Sequence, residues 1–386
     1  MTSKIKRIFK AILIISLCLV LGFAIGYGFG KLFDGGTVEQ VQTDQSGKWK
    51  DIIFLVMSSL LGAFVGGFLQ LIVHETGHLV CGLISGYKFV SFRVLSYTLL
   101  KEDNKFKIKN FAISGTGGQC LLSPPDIPTE KVPVTLYNLG GLLFNLFLSA
   151  ICISIAQWGT NNSYISLSLY ITACVGVFIL LTNGIPVTVD GFPNDGYNTL
   201  HLKGNLKTKN ALMNILRANA LVQGGTLPGD LPDEYFTQIN DSDLSDSLEA
   251  NLALLYISVL LQKGELSKAE NLCRRILAES KVELLQMEAK TELACLLLNQ
   301  DKTDEAMGLL DKKEIQMIEV SAKTQSSKQR FLFMRALKAE NDRQKAVEIF
   351  EKVQSTKDRY LMQGEVALDL ELMWKTLKKS ENFAEK

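Results

Sequence analysis

The chain has 386 residues, with 41 Lys and Arg against 40 Asp and Glu and a net charge of +1. The length allows two or three domains, and the balanced charge argues against nucleic acid as a partner. The seven cysteines are irregularly spaced, several lie in apolar runs and none forms a C-x-x-C pair, which argues against a disulfide framework and leaves any metal site to histidine and carboxylate.

Four apolar runs are long enough to cross a bilayer. They cover about Ile8 to Phe29, Ile52 to Gly86, Val134 to Trp158, and Ile165 to Ile185. The first is long for a signal peptide, and Tyr27-Gly28-Phe29-Gly30-Lys31 lacks a small-residue cleavage pattern, so it reads as an uncleaved anchor. Lys4, Lys6, Arg7 and Lys10 precede it and place the N-terminus in the cytoplasm. Alternation then puts 87–131 inside, where seven Lys and Arg agree, among them Lys88, Arg93 and Lys131. It also puts everything after about 190 inside, with Lys203, Lys207, Lys209 and Arg217. The expectation is a multi-pass protein of the cell membrane with both termini cytoplasmic.

In the inside loop, 89–94 and 105–111 alternate polar and apolar residues about Glu102-Asp103-Asn104, which predicts a β-hairpin. Its apolar face is expected to lie on the membrane interface. Gly115 to Gly118 and Pro124-Pro125 then predict an irregular loop.

The last third of the second run carries His74-Glu75-Thr76-Gly77-His78. On a helix this pentad sets two imidazoles at i and i+4 on one face, where both can ligate one Zn²⁺. Glu75 is then placed as general base toward a water on that metal. The bland alternative is a chance match. Two of only three histidines fall in the pentad, inside an apolar helix where polar groups are costly, and that weighs against chance. His201 is read as a surface residue and Cys81 as packing, since a fourth protein ligand would close the water position. A carboxylate is therefore expected as third ligand. Pro186 breaks the fourth run, and Asp190 and Asp195, each followed by Gly, come after it.

The pentad, Gly141 with Asn145 in the next helix, and Asn183 with Pro186 followed by Asp-Gly resemble the pattern of site-2 protease-type intramembrane zinc metalloproteases. The resemblance covers roughly 50–200. It implies Zn²⁺ as cofactor, peptide-bond hydrolysis in or near the membrane, His74, His78 and one Asp as ligands, Glu75 as base, and Asn145 in substrate positioning. The usual spacing sets the Asp five residues after the Pro; here Asp190 comes four after and Asp195 nine after. Asp195 is favoured because Tyr197-Asn198-Thr199-Leu200 can begin a helix and hold the carboxylate at its N-terminus; Asp190 is the runner-up. Leu142 stands where the family has proline. Asn145 as a plain helix–helix hydrogen-bonding residue is the competing assignment, and Gly66-Gly67 and Gly140-Gly141 read as close-packing positions.

From about 208 the sequence is charged and amphipathic, with a linker at Gly224 to Asp230 and helix from about Asp241 onward. Segments 264–270, 301–307 and 341–347 resemble one another, with Ala269, Ala306 and Ala346 at matching places. They are similar to degenerate tetratricopeptide repeats, which form peptide-binding surfaces; an irregular helical bundle is the simpler alternative.

The expected fold is mostly α: a polytopic membrane protein of four transmembrane helices with a membrane-associated β-hairpin, then a soluble helical-repeat domain. The expected domains are an anchor and external loop at 1–50, a metallopeptidase core at 51–205, and a cytoplasmic tetratricopeptide-like domain at 206–386. The function this implies is an intramembrane zinc endopeptidase acting on membrane-spanning or signal-like peptides. Its hairpin would pair with an unwound substrate strand, and the helical domain offers a surface for a protein partner. The alternative is a membrane-anchored helical-repeat scaffold with a vestigial, non-cleaving metal site; a metal-ion transporter is weaker.

Overall fold

The computed structural model describes residues 45–102, 105–111, 117–189 and 191–384. The first apolar run, Cys18, the turn residues 103–104 and Asp190 lie outside the described residues. The described chain is mostly helical with a small antiparallel sheet.

Helix α1 runs Gln45–Ile84, α2 Thr135–Ser154 with an added wide turn to Gly159, and α3 Ser163–Gly184. The segments Trp49–Ile84, Thr129–Gly159 and Ser163–Gly184 are each long and apolar enough to cross a membrane, which makes the protein membrane-associated. Apolar side chains along the first half of α1, Ile53, Phe54 and Phe64 among them, are exposed; lipid is the solvent that suits such a surface. From Ile52 to His74 the helix rises by roughly 33 Å, about one hydrocarbon thickness. The pentad lies in the last third of the segment Trp49–Ile84.

The chain divides into two compact units. One comprises α1 up to Val73 with Asn145–Leu181; the other comprises His74–Phe144 with Thr182–Lys386. In the first unit a knot of polar side chains ties the helices together. Asn145 donates from Nδ2 to the Gln70 carbonyl and to Gln70 Oε1, both at 2.8 Å. Gln70 donates in turn to Ser149 Oγ and to the Thr172 carbonyl, both at 3.2 Å. Gln70, Asn145 and Ser149 are fully buried. Away from water each polar group needs a partner, and each finds it on a neighbouring helix.

In the second unit the sheet has four strands, β1 Lys88–Val94, β2 Tyr97–Glu102, β3 Lys105–Asn110 and β4 Gly118–Ser123, in the order β3-β2-β1-β4. This corrects the expected hairpin. Segments 89–94 and 105–111 are not neighbours, because Tyr97–Glu102 forms a strand between them, pairing Phe92 with Leu99 and Leu99 with Ile108. The turn Leu95-Ser96 contains no Gly, Asn or Asp to advertise it; Leu95 takes φ 53°, held where the Arg93 Nη1 donates to its carbonyl at 2.8 Å. Strand β4 packs on helix α5, Leu206–Gln223, and Ser91 Oγ donates to Gln223 Oε1 at 3.2 Å. The inner face is thus covered by protein, while Phe106 and Ile108 on edge strand β3 stay exposed.

Beyond the short ribbon β5–β6 (Thr188–Val189 and Phe192–Pro193) and helix α4, Asp195–His201, the chain is helical. After α5 come α6 Ser247–Lys263, α7 Leu266–Glu279, α8 Glu283–Asn299, α9 Thr303–Gly308, α10 Lys312–Ser321, α11 Ser326–Met334, α12 Arg343–Ser355 and α13 Gln363–Ala384. The three similar segments fall where α6 meets α7, α8 meets α9, and α11 meets α12. Each junction holds one left-handed residue, Gly264 (φ 74°), Asp301 (φ 59°) and Asn341 (φ 54°). Ala269, Ala306 and Ala346 are completely buried, so a small side chain lets the helices approach.

Candidate metal centre

Two segments of the second unit build the site. On α1, His74 and His78 stack one turn apart, edge to face, with ring centroids 4.7 Å apart. The Nδ1 of His78 lies 2.9 Å from the Tyr137 carbonyl oxygen. A carbonyl only accepts, so Nδ1 carries the hydrogen and Nε2 presents its lone pair. The other segment is the start of α4. Asp195 Oδ2 stands 3.2 Å from His74 Nε2 and 3.4 Å from His78 Nε2, and the two Nε2 atoms are 3.1 Å apart. These three residues could hold a metal ion, with one ligand atom from each within 4.8 Å of the others.

Asn194 sets the position of Asp195. Its Oδ1 accepts from the Tyr197 amide at 2.9 Å and caps α4. Its Nδ2 donates to the Thr182 and Ile185 carbonyls at 2.9 and 2.7 Å. One side chain therefore staples the end of α3 to the beginning of α4. Gly196 completes the joint: a Cβ there would sit 2.1 Å from the Gly184 carbonyl oxygen. Gly141 plays the matching part opposite the histidines, since its Cβ would fall 2.5 Å from His74 Cε1 and 2.7 Å from His78 Nε2.

Burial works to raise the pKa of Asp195, but the proximity of His74 and His78 outweighs it and holds the carboxyl at about 2. The group is an anion at neutral pH, as a metal ligand must be. Glu75 is buried and lies within electrostatic reach of His78, His74, Asp195 and Arg93. Strand β4 meets it at Gly118, where a Cβ would come 2.6 Å from Glu75 Oε1. Arg93, almost wholly buried, donates to the Gly118 carbonyl at 3.4 Å.

The structure thus brings together His74, His78 and Asp195, with Glu75 close by. Asn145 belongs to the first unit, and both donors of its amide are used on Gln70. His201 is exposed and stacks on Tyr197; Cys81 is buried packing. Asn194, Tyr137 and Arg93 were not singled out from sequence as site residues. The signal for Asn194 is an Asn directly before a helix start; the parts of Tyr137 and Arg93 depend on contacts distant in sequence. No protein-family model, curated protein or solved structure matches this chain.

Proposed function

We propose that this chain is a zinc-dependent endopeptidase of the membrane that hydrolyses peptide bonds of membrane-embedded or signal-like polypeptides. The observation that carries the reading is the meeting of His74 Nε2, His78 Nε2 and Asp195 Oδ2 at 3.1 to 3.4 Å. Ligand bonds of about 2.1 Å at tetrahedral angles put neighbouring donors about 3.4 Å apart, so the donor set and its spacing suit Zn²⁺. Three protein ligands rather than four are the mark of a hydrolytic site.

In this reading His74, His78 and Asp195 hold the ion. When bound, the ion supplies an acidified water and a Lewis acid for the scissile carbonyl. Glu75 accepts the proton of the attacking water on its carboxylate and returns it to the leaving amine. Gly118 leaves room for that carboxylate. An unwound substrate strand pairs with the sheet in this reading; deletion of 89–111 that leaves cleavage intact overturns this step. Both termini are cytoplasmic in this reading, and the helical-repeat domain offers a surface to a protein partner.

The deciding experiment measures zinc content and cleavage of a transmembrane substrate in detergent for wild type, Glu75→Gln, Asp195→Asn and Asp190→Asn. Glu75→Gln is expected to keep zinc and lose cleavage by roughly 10²–10⁴-fold. Asp195→Asn is expected to lose zinc, and Asp190→Asn to keep it. Zinc bound without cleavage of any substrate supports the scaffold reading. A wild type that binds no zinc overturns the metallopeptidase.

A further inference from the structure

Away from the metal centre, a cavity of ≈ 270 Å³ opens among α5, α6, α8, α11 and α13. Its charged lining is Glu288, Glu292, Arg330, Glu365 and Asp369. Two buried cations stand among these carboxylates. Lys328 Nζ pairs with Glu288 Oε2 at 2.6 Å. Arg330 pairs through Nη2 with Glu292 Oε2 at 2.5 Å and through Nε with Asp369 Oδ1 at 2.6 Å. Four carboxylates thus face two cations, an excess of two negative charges if all ionise.

Two observations show the shortfall of positive charge. Asp369 is 3% exposed, and its Oδ2 is buried without a hydrogen-bond partner, with Ser326 beside it. Glu365 forms no ion pair with either cation. Burial, then the charges of Asp369, Glu288 and Glu292, push it up to about 8. A buried carboxylate oxygen without a partner is costly, and natural interiors rarely leave one so. The rest of the lining says what would complete it. Leu254, Leu255 and Leu368 offer an apolar wall for an aliphatic stem. Asn219 and Asn251 offer amides, each both donor and acceptor, for a peptide backbone.

We propose that this cavity binds the guanidinium or ammonium group of a basic side chain in a partner polypeptide. The cationic head meets Glu365 and Asp369 Oδ2, the stem lies along the leucines, and the flanking backbone meets the asparagines. The proposal does not depend on whether the metal centre cleaves peptides.

The test is fluorescence anisotropy on the full chain in detergent. The probe is a labelled Gly/Ser/Ala decapeptide carrying a central arginine, and the control carries the uncharged isostere citrulline. The arginine peptide is expected to bind at least about tenfold more tightly than the citrulline one, the order of a single charge-assisted contact. Glu365→Gln, which breaks no ion pair, is expected to remove most of that difference while circular dichroism shows an unchanged fold; Glu75→Gln is expected to leave it intact. Equal binding of the two peptides overturns the proposal, as does a Glu365→Gln variant that still discriminates fully. Arginine amide that binds as tightly as the peptide also overturns it, because the site then takes small amines.

Discussion

Gly141 is a position where one carbon atom bears directly on the candidate metal centre. A methyl group there would press on both imidazoles, at 2.5 Å from His74 and 2.7 Å from His78. Gly141→Ala is therefore expected to abolish stoichiometric metal binding with helix content retained, checked by metal analysis and circular dichroism. Asn194 acts differently, since it touches no ligand atom and orients the segment that carries Asp195. Asn194→Ala is expected to weaken metal affinity by about 10–100-fold, the usual effect of losing a residue that orients a ligand. The lost cap adds about 1 kcal/mol of destabilisation, readable by thermal unfolding. The pentad was legible in the sequence because helical geometry alone puts positions 74 and 78 on one face. The choice of Asp195 rested on a local helix-start signal, and the structure agrees in starting α4 at that residue.

At the scale of elements, polar groups in apolar surroundings decide the packing. Asn145 spends its two donor hydrogens on Gln70, so Asn145→Ala leaves buried acceptors without donors and is expected to cost about 1–3 kcal/mol. The thermal midpoint should fall; a drop in cleavage with an unchanged midpoint would instead mark Asn145 as a positioning residue. The helix junctions repeat one backbone solution with three different residues. Asn341 takes φ 54°, a region that Gly enters without strain and β-branched residues resist. Asn341→Gly should match or exceed wild-type stability, and Asn341→Val should lose about 1–2 kcal/mol, measured by chemical denaturation. The sheet was less legible than the helices. Periodicity two marked 89–94 and 105–111, but the strand between them is bounded by a Leu-Ser turn without the usual turn residues.

At the scale of the whole molecule, the helical region carries buried charge in place of some apolar core. Arg330, with partners on α8 and α13, is the centre of it. Removing one member of a buried pair leaves the others uncompensated, so Arg330→Ala is expected to destabilise by about 3–5 kcal/mol. Glu365 gives the same region a pH dependence. Its folded-state value of about 8 lies above the ordinary 4.5, so the folded chain keeps a proton that the unfolded chain releases. Stability from this group is then undiminished below about pH 4.5 and declines as pH rises toward about 8. The charged groups facing it are Asp369 on its own helix, Glu288 and Glu292 on α8, and Arg330 on α11. Glu365→Gln removes the penalty and should gain about 1–3 kcal/mol on wild type at pH 8 and nothing near pH 4. Thermal unfolding of both proteins across that range checks the sign.

The sequence by itself determined what depends on near neighbours along the chain. That includes the three described apolar helices, the helix end before Pro186, the pairing of His74 with His78, and the three helix junctions with their buried alanines. Only the tertiary structure decided what depends on residues far apart. It brought Asp195 to the histidines across some 117 residues, covered β4 with α5, and gathered four carboxylates from α8 and α13 around two cations on α11. The physical reason is range. Helix periodicity and caps act over a few residues, whereas burial, metal-ligand geometry and charge pairing are set by whichever segments the fold packs together.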